Sequence, residues 1–355
     1  MKRSRLKKVI ITITVIILFF VLLGVIYTNH MHYDIEPHVS YNVDVMDEQG
    51  REHGEPSIVY MTNDISSESL MKIYETLDVH PEGKVAVKLS TGEAGNPNYL
   101  DPNLIKDLVK SVDGTIIECN TAYSGSKRAD TAMHRQVAKE HGFTDIADLD
   151  IMDEFGYMAI PVNGGDHLKE NWVGQNLKNY DYVLVLSHFK GHPMGGFGGA
   201  LKNISIGIGS REGKVRIHSG GLLKKPTITL AALITNQDVF TESMAEAAKS
   251  VSDYEGNGER IVYISVMNHL SVDCDCVSTP AEVDMHDIGI FASTDPVALD
   301  QACVDQVFEA KDGTSLQNRI LEKNGIHILT HAQKIGLGSR VYKLVNIDDE
   351  SGATE

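Results

Sequence analysis

The sequence predicts an α/β protein with a largely parallel or mixed sheet flanked by helices, preceded by one N-terminal transmembrane helix. Two observations predict this architecture. Short, nearly continuous apolar segments alternate with segments of helical periodicity, as expected for strands that helices cover on both faces. A single long run without charged residues follows a basic leader at the N-terminus.

The N-terminal run predicts a membrane anchor. Residues 9–27 contain no charged side chain and would form a helix roughly 28 Å long, close to the ~30 Å hydrocarbon core of a bilayer. The lysines and arginines of residues 1–8 predict a cytoplasmic N-terminus and an extracytoplasmic C-terminal domain of a single-pass cell-membrane protein. A cleaved signal peptide is the alternative, although no clear small-residue cleavage site follows. Residues 28–56 are then a stalk, residues 57–345 the α/β domain and residues 346–355 a polar tail.

The elements of the domain follow from the apolar patterning. The predicted strands lie at residues 57–62, 84–90, 115–120, 182–188, 260–268 and 287–293. Helical segments follow the first three strands; after the first, Leu70, Ile73 and Leu77 recur at the spacing of one helix face. After the last strand, Asp295 and Pro296 predict the N-cap and first residue of another helix.

Composition and charge narrow the class of partner. The 355 residues carry a formal net charge of −17, and the acidic excess is larger still beyond the basic leader. Since affinity for nucleic acid comes mostly from lysine and arginine at phosphates, the chain is not expected to bind nucleic acid. Four cysteines are too few for a disulfide-stabilised scaffold.

Polar residues follow four of the predicted strands. Asn120, His188, His269 and Asp295 each come at or just after the end of a strand. In open α/β sheets the ligand usually binds beyond the carboxyl ends of the strands. We therefore expect these four ends to converge on one pocket, although loops that follow strands are commonly polar without any function.

A glycine-rich loop at residues 187–203 is the strongest candidate site. Its glycines would let backbone N–H groups approach an anion or a flat cofactor. The loop does not fit the dinucleotide-binding pattern, because Leu201 stands where the third glycine would be. We predict His188, His192 and Lys202 as catalytic residues, and Lys190, Gly195, Gly196, Gly198, Gly199 and Asn203, together with Asn120, as residues that bind the cofactor or ligand. The alternative is a glycine-rich connecting loop whose cationic side chains are solvated and bind nothing. For His218, which precedes another glycine pair, we leave open whether it belongs to the site or is structural.

The segment "NHLSVDCDCV" is the candidate metal site. Cys274 and Cys276 are two residues apart and would point the same way from extended chain. With Asp275 and His269 they predict a metal-binding group of soft and hard ligands. Two thiolates alone do not complete a tetrahedral site, so a packed or redox-active pair stays open. The two cysteines are too close in sequence for us to expect an ordinary disulfide between them.

These residues resemble a known family. "SHFKGHPMGGFGGALKNISIGIGSREGK", the "CDC" segment and "DIGIFASTDPVALDQACVD" are similar to the DUF362 family, a domain of unknown function often described as iron-sulfur centre proteins. The resemblance spans roughly residues 57–345. Many members carry a ferredoxin-like insert after the position of His218, but here that interval has no cysteine. Because each such cluster needs about four thiolates, ferredoxin-type iron-sulfur clusters are not expected.

A second resemblance is shorter. "HPMGGFGGALKN" is similar to a loop of the nickel-pincer lactate racemases, in which a lysine holds the cofactor and histidines move the proton or hydride. The residues that match that pattern are His192, Gly196, Phe197, Gly198 or Gly199, and Lys202.

Three functions stay open from the sequence. The first is a redox or acid/base enzyme with a pocket for a metal ion or a small anion. The second is a tethered protein that binds such a ligand without catalysis, and the third is an enzyme of the pincer racemase type. The sequence does not name the ligand.

Overall fold

The computed structural model describes the backbone of residues 2–31, 33–225 and 228–349, and side chains of residues 11–25, 33–225 and 228–349. The described residues form these strands: β1 (Ser57–Thr62), β2 (Val85–Lys88), β3 (Thr115–Glu118), β4 (Leu149–Ile151), β5 (Tyr157–Pro161), β6 (Glu170–Gly174), β7 (Tyr182–His188), β8 (Lys190–His192), β9 (Gly196–Gly198), β10 (Ile261–Met267), β11 (Gly289–Ser293) and β12 (Tyr342–Asn346).

The helices are α1 (Lys2–Met31), α2 (Val43–Glu48), α3 (Ser67–Thr76), α4 (Pro102–Ser111), α5 (Thr131–Glu140), α6 (Ala200–Ser205), α7 (Arg211–His218), α8 (Ile228–Ile234), α9 (Gln237–Tyr254), α10 (Pro296–Glu309), α11 (Thr314–Glu322) and α12 (His327–Lys334). Short 3₁₀ turns lie at Lys127–Ala129, Phe143–Asp145 and Gln175–Asn179. Each predicted strand and helix is present, with ends that differ by at most a few residues.

One eight-stranded mixed sheet organises the domain. Its strand order is β12-β1-β11-β10-β7-β2-β3-β4, and every neighbouring pair is parallel except the two that involve β11. The α/β fold with a largely parallel, mixed sheet is therefore confirmed.

Helices cover both faces of this sheet. Along β7, Val183 and Val185 pack into one hydrophobic core, whereas Leu184 and Leu186 pack into a second core. This alternation follows from the two-residue period of a strand. Helices α6, α9 and α10 contribute to the first core, and α3, α4 and α5 contribute to the second.

The reversed strand β11 corrects one expectation. Because β11 runs antiparallel to both neighbours, its carboxyl end lies at the opposite edge of the sheet from those of β7 and β10. Asp295 therefore does not join the other strand ends. It is the N-cap of α10, as predicted, and accepts hydrogen bonds from the backbone N–H of Val297 and the hydroxyl of Ser57, both at 2.8 Å.

The N-terminal helix does not support the predicted anchor. Among the described residues, no helix combines the length and the apolarity needed to cross a membrane. The prediction for residues 9–27 falls in part on residues 9–10 and 26–27, whose side chains lie outside the described residues. The extracytoplasmic location and the division of the chain at residues 28, 57 and 346 stay predictions.

Candidate functional site

A β-hairpin and a short helix form the glycine-rich loop. Strand β8 pairs with β9 in antiparallel fashion, and α6 begins directly after Gly199. Asp300 on α10 holds the start of α6, because its carboxylate accepts hydrogen bonds from the backbone N–H groups of Ala200 and Leu201 at 2.7 and 2.9 Å. A β-carbon on Gly199 would lie 2.2 Å from Asp300 Oδ1, so only glycine allows this contact. The helix start is thereby fixed, and with it the position of Lys202.

A small cavity lies at the carboxyl ends of β2, β3 and β7, against this loop. Its volume is about 100 Å³, well below the ~300–1,000 Å³ of pockets for drug-sized ligands. Polar and glycine residues dominate the lining, which includes Lys88, Ser90, Glu118, Thr121, Tyr123, Arg128, Ser187, His188, His192, Gly198, Gly199, Lys202, Asn203, Lys214, His218, Cys274, Asp275 and Cys276. Its size and polarity suit a ligand of few atoms with polar groups.

The charge of the lining is positive although the chain as a whole is acidic. Four cationic side chains face two carboxylates across the cavity: Lys88, Arg128, Lys202 and Lys214 against Glu118 and Asp275. Both carboxylates already have partners. Glu118 lies 3.4 Å from Arg128 Nη1 and accepts from Thr91, and Asp275 lies 2.7 Å from Lys190. The remaining positive charge favours an anion.

Burial at the cavity disfavours the charged form of two lysines, Lys88 and Lys202. Burial lowers the pKa of Lys88 to about 8, although Glu118 opposes the shift. Burial likewise lowers the pKa of Lys202 to about 8, with Arg128 and Lys88 adding to the effect and Asp275 opposing it. The Lys88 ammonium donates to the Leu89 carbonyl, whereas Lys202 Nζ has no hydrogen-bond acceptor within the described part of the chain. Lys202 is thus the amine free to meet a ligand.

His192 presents a proton donor. Its Nδ1 accepts hydrogen bonds from the backbone N–H groups of Gly195 and Met194, at 2.8 and 3.3 Å. Burial and the charge of Lys202 lower the pKa of His192 well below its usual value, so the ring is neutral. A neutral imidazole that accepts at Nδ1 carries its proton on Nε2. His192 therefore offers an N–H group at Nε2.

His218 is a hydrogen-bond acceptor at the nitrogen where His192 is a donor. Its Nδ1 donates to the Lys214 carbonyl at 2.6 Å, which fixes the proton on Nδ1. Burial lowers the pKa of His218 to about 4, with a further contribution from Lys202, so this ring is neutral too. Nε2 is buried and has no partner among the described residues. His218 therefore offers a free lone pair to the cavity.

His188, predicted to be catalytic, and Lys190, predicted to bind the ligand, are both held by neighbouring groups. His188 Nδ1 lies 3.0 Å from Asp275 Oδ2, and Nε2 lies 2.7 Å from Asn268 Oδ1. Lys190 is buried against Asp275 and the Asn98 carbonyl. Although burial opposes the shift, His188 and Lys190 hold the pKa of Asp275 below its ordinary value. Together these contacts fix the segment that carries the two nearby cysteines.

Cys274 and Cys276 form a disulfide, contrary to our expectation. A turn at Asp275 and Cys276 brings the two Cα atoms to 5.3 Å, closer than the roughly 6.6 Å of an extended strand and within the range of disulfides. One ring nitrogen of His192 and both sulfur atoms lie within 4.8 Å of one another. In the disulfide state no thiolate is present to bind a metal ion here.

Four other predicted site residues lie around the cavity rather than on it: Gly195, Gly196, Asn120 and His269. Gly195 ends the turn of the hairpin, and Gly196, with a φ of 81°, begins β9. Asn120 is bonded to Thr131 and Asp153, and His269 is exposed beside Asp287. Asn203 and Gly198 do line the cavity; the Asn203 amide donates to the backbone carbonyl of Lys88 at 3.2 Å.

Sequence reasoning missed four charged residues of the site: Lys88, Glu118, Arg128 and Lys214. Lys88 and Glu118 each follow an apolar run at the end of a strand, and a charge at the end of a buried strand was the available signal. Arg128 and Lys214 lie on a 3₁₀ turn and on α7, and nothing in their neighbouring residues points to a pocket.

The fold and the cavity define an α/β protein with a buried, positively charged ligand site. The model of the family described as "Domain of unknown function (DUF362)" matches residues 85–305, and the chain belongs to this family. The matched range includes every residue of the cavity named above. No curated protein matches the sequence.

Two solved structures are similar to parts of the chain. The lactate racemase apoprotein from Thermoanaerobacterium thermosaccharolyticum has 13% identity and a TM-score of 0.39, over 72% of this chain and 57% of that one. A structural-genomics protein from Thermotoga maritima has 13% identity and a TM-score of 0.36, over 74% and 57%. The matched regions thus span just over half of each neighbour's length, and the scores are too low to establish a shared fold.

Proposed function

We propose that this protein is an enzyme that binds a small organic anion, most simply a short-chain carboxylate, and moves a proton on it by acid/base catalysis. The observation that supports the proposal is the opposite hydrogen-bonding polarity of His192 and His218 on one small, positively charged cavity. The proposal goes beyond family membership, which names no activity.

Binding of the anion would fall to Lys202, helped by Lys88 and Arg128. An anion offers Lys202 the acceptor that it lacks, and it compensates the mutual repulsion of the buried cations. Charge-assisted hydrogen bonds of this kind are the stronger ones in proteins. Carboxylate groups fit this arrangement and a cavity of about 100 Å³.

Proton transfer would use His218 as the base and His192 as a hydrogen-bond donor to the developing negative charge. His218 Nε2 accepts a proton from the bound molecule and becomes an imidazolium, while His192 Nε2–H donates a hydrogen bond to the oxygen on which negative charge develops and keeps its proton. The His218 imidazolium then returns a proton to the same carbon, after exchange with water where water reaches it, so the bound molecule regains the proton that it lost and no oxidant is needed. The negative charge of the ligand favours the cationic imidazolium and raises its pKa, which makes His218 a better base in the complex than in the free protein.

The test is exchange of carbon-bound protons in deuterated water. The full-length chain is incubated with a panel of short-chain 2-hydroxy, 2-oxo and 2-amino carboxylates, and NMR follows loss of the α-proton signal. Replacing His218→Gln or His192→Gln should slow the exchange by about 10²-fold or more, the usual contribution of a general base and of a hydrogen-bond donor to developing negative charge. The exposed His80→Gln is the matched control and should leave the rate unchanged.

Calorimetry on the same variants separates catalysis from binding. Lys202→Ala should lose the ligand, whereas His218→Gln should bind it within about tenfold of the parent, because a general base acts on the transition state more than on the ground state. Saturable binding that needs Lys202, with no exchange on any compound, would contradict the enzyme and favour a ligand-binding protein. Binding that is unchanged in Lys202→Ala would contradict the assignment of this cavity as the binding site.

Lys202 supports one second candidate, covalent attachment of an organic cofactor as in the pincer racemases. A buried amine with a pKa of about 8 and no acceptor is a competent nucleophile. The cavity of about 100 Å³ does not fit a whole nucleotide, however, so we derive no step through such a group. Intact-mass analysis decides this: an added mass on Lys202 would establish the cofactor, and an unmodified active protein would exclude it.

A further inference from the structure

A second cluster of histidines and carboxylates lies between α9, α12 and the loop that joins β5 to β6. We propose that Asp166, Glu246 and His331 form a binding site for a divalent transition-metal ion, with zinc as the ion that best fits these ligands. This site uses none of the residues of the proposed function. One atom of each of the three side chains lies within 4.8 Å of one atom of the other two.

Two helices place paired side chains opposite one another. Glu242 and Glu246 are four residues apart on α9, and His327 and His331 are four residues apart on α12. Residues at this spacing share one face of a helix, so each helix presents two polar groups to the other. Each histidine faces a glutamate: His327 Nε2 lies 3.0 Å from Glu242 Oε1, and His331 Nε2 lies 3.4 Å from Glu246 Oε1.

His331 is the strongest indication of a ligand. Its side chain is 1% exposed, and its Nε2 has no hydrogen-bond partner within the described residues. The other ring nitrogen, Nδ1, lies 3.6 Å from Glu242 Oε1. Metal-binding histidines characteristically direct their second nitrogen toward a carboxylate, which sets the orientation of the ring. Here that arrangement leaves Nε2 directed toward Glu246.

Glu242 is itself held in place. Its two oxygens lie 2.5 Å from His167 Nε2 and 3.0 Å from His327 Nε2. Glu246 is completely buried and accepts backbone N–H bonds from Asp166, His167 and Leu168, which fixes the loop beside it. These contacts would orient the ligands before the ion arrives.

The ligand set selects the type of ion. Imidazole nitrogen with two carboxylates suits zinc and related transition metals better than magnesium or calcium, which prefer oxygen ligands alone. Three protein ligands leave a fourth position of a tetrahedral zinc site open to water. Asp166 is 58% exposed at the protein surface and provides the route of entry.

Lys334 is the group that an ion would displace. Its ammonium lies 3.4 Å from Asp166 Oδ2, and its side chain is 65% exposed. An exposed ion pair of this kind is weak, so the lysine does not block binding but does compete with it. Removing this positive charge should therefore tighten the binding of a cation.

Calorimetric titration with zinc alone tests the proposal on the chelator-treated full-length chain. We expect one equivalent to bind in the parent protein, about tenfold or more weaker binding in Asp166→Asn and His331→Gln, and about 10–100-fold weaker binding in Glu242→Gln, which alters the carboxylate behind the ligand. Lys334→Ala should bind zinc more tightly. Asp166 is exposed, so Asp166→Asn should keep the fold even if a buried variant does not.

Two controls make the assignment specific. Asp312→Asn changes another exposed carboxylate that pairs with a histidine, His286, and should leave zinc binding unchanged. The Cys274→Ser, Cys276→Ser double variant removes the sulfur atoms near His192 and should also leave binding unchanged. Cobalt adds a spectroscopic check, because nitrogen and oxygen ligands give no sulfur-to-metal charge-transfer band. Zinc binding that depends on the cysteines, or that survives both Asp166→Asn and His331→Gln, would overturn the proposal.

Discussion

Lys88 and Lys202 carry ammonium groups that are buried at the cavity, and burial disfavours their positive charge. Each has a pKa of about 8 instead of the ordinary 10.5, chiefly because burial removes water from the charged form. Such a group is stabilised less by the folded protein than by water, so each buried ammonium group lowers the stability of the fold. A bound anion raises the pKa of both lysines again, since a nearby opposite charge favours the ammonium form. The two lysines thus couple ligand binding to protonation.

Ligand binding should therefore depend on pH in a defined direction. Below about pH 7 both ammonium groups are charged and affinity should be constant; as the pH rises through 8, protons are lost from the free protein and affinity should fall. At pH 8 binding should take up protons. Calorimetry with the tightest carboxylate of the panel, in two buffers of different ionisation enthalpy, measures this uptake. A pH-independent affinity between pH 6 and pH 9 would contradict it.

At the scale of elements, the glycine-rich hairpin is held close to the loop that carries the disulfide. A β-carbon on Gly191 would lie 2.4 Å from the Val272 carbonyl oxygen, with the Val272 backbone on the same side. The backbone N–H of Gly191 also donates to the Ser271 carbonyl at 2.9 Å. Backbone against backbone leaves no flexible side chain to move aside. The hairpin therefore needs glycine here for contact, and not for an unusual φ angle.

We expect Gly191→Ala to destabilise the protein by about 1–3 kcal/mol, the usual cost of overpacking, and to weaken carboxylate binding because β8 carries His192. Urea unfolding and calorimetry measure the two effects. Gly54→Ala, at a glycine with no neighbouring atom within 4 Å, is the control and should leave both unchanged. Equal behaviour of the two variants would show that the close contact does not matter.

At the scale of the whole molecule, Arg340 joins the segment before β1 to the end of the chain. This buried residue lies 2.8 Å from Glu36 and 2.7 Å from the Gln301 side-chain oxygen, and its guanidinium lies over the ring of Tyr41, 4.3 Å from the centroid. Burial opposes ionisation of Glu36, but His327, Thr330 and Arg340 lower the pKa of its carboxyl from 4.5 to about 2. Residues distant in sequence are thus tied together by one charged network.

Arg340→Met should lower the free energy of unfolding by about 2–4 kcal/mol at pH 7, because it removes the buried cation paired with Glu36 and leaves His327 as the remaining cation beside that carboxylate. The pKa of Glu36 is lower in the folded protein, so this stability is present above about pH 5 and is lost as the pH falls toward 2. Urea unfolding at pH 7 and pH 3 measures the difference, which should shrink at the lower pH. Arg135→Met, which breaks an exposed pair with Glu154, should cost less than about 1 kcal/mol. A comparable loss in both variants would contradict a special role of Arg340.

The sequence by itself determined the periodic features of this protein. Buried strands such as β7 contain an unbroken run of apolar residues, and amphipathic helices such as α4 repeat their apolar residues, so both can be located from local patterns. The cap at Asp295 follows from a short local rule as well. The loop that carries His192 and Lys202 was recognisable because glycine, histidine and lysine occur together within a few residues.

Only the tertiary structure decided which side chains meet. The reversed direction of β11 moved Asp295 away from the other strand ends, and strand direction depends on pairing between segments far apart in the chain. Lys88 and Lys214 reach the cavity from separate elements, and the tautomers of His192 and His218 depend on backbone groups that the fold places beside them. Local patterns carry no information on such long-range contacts, because burial and charge at a site are properties of several segments together.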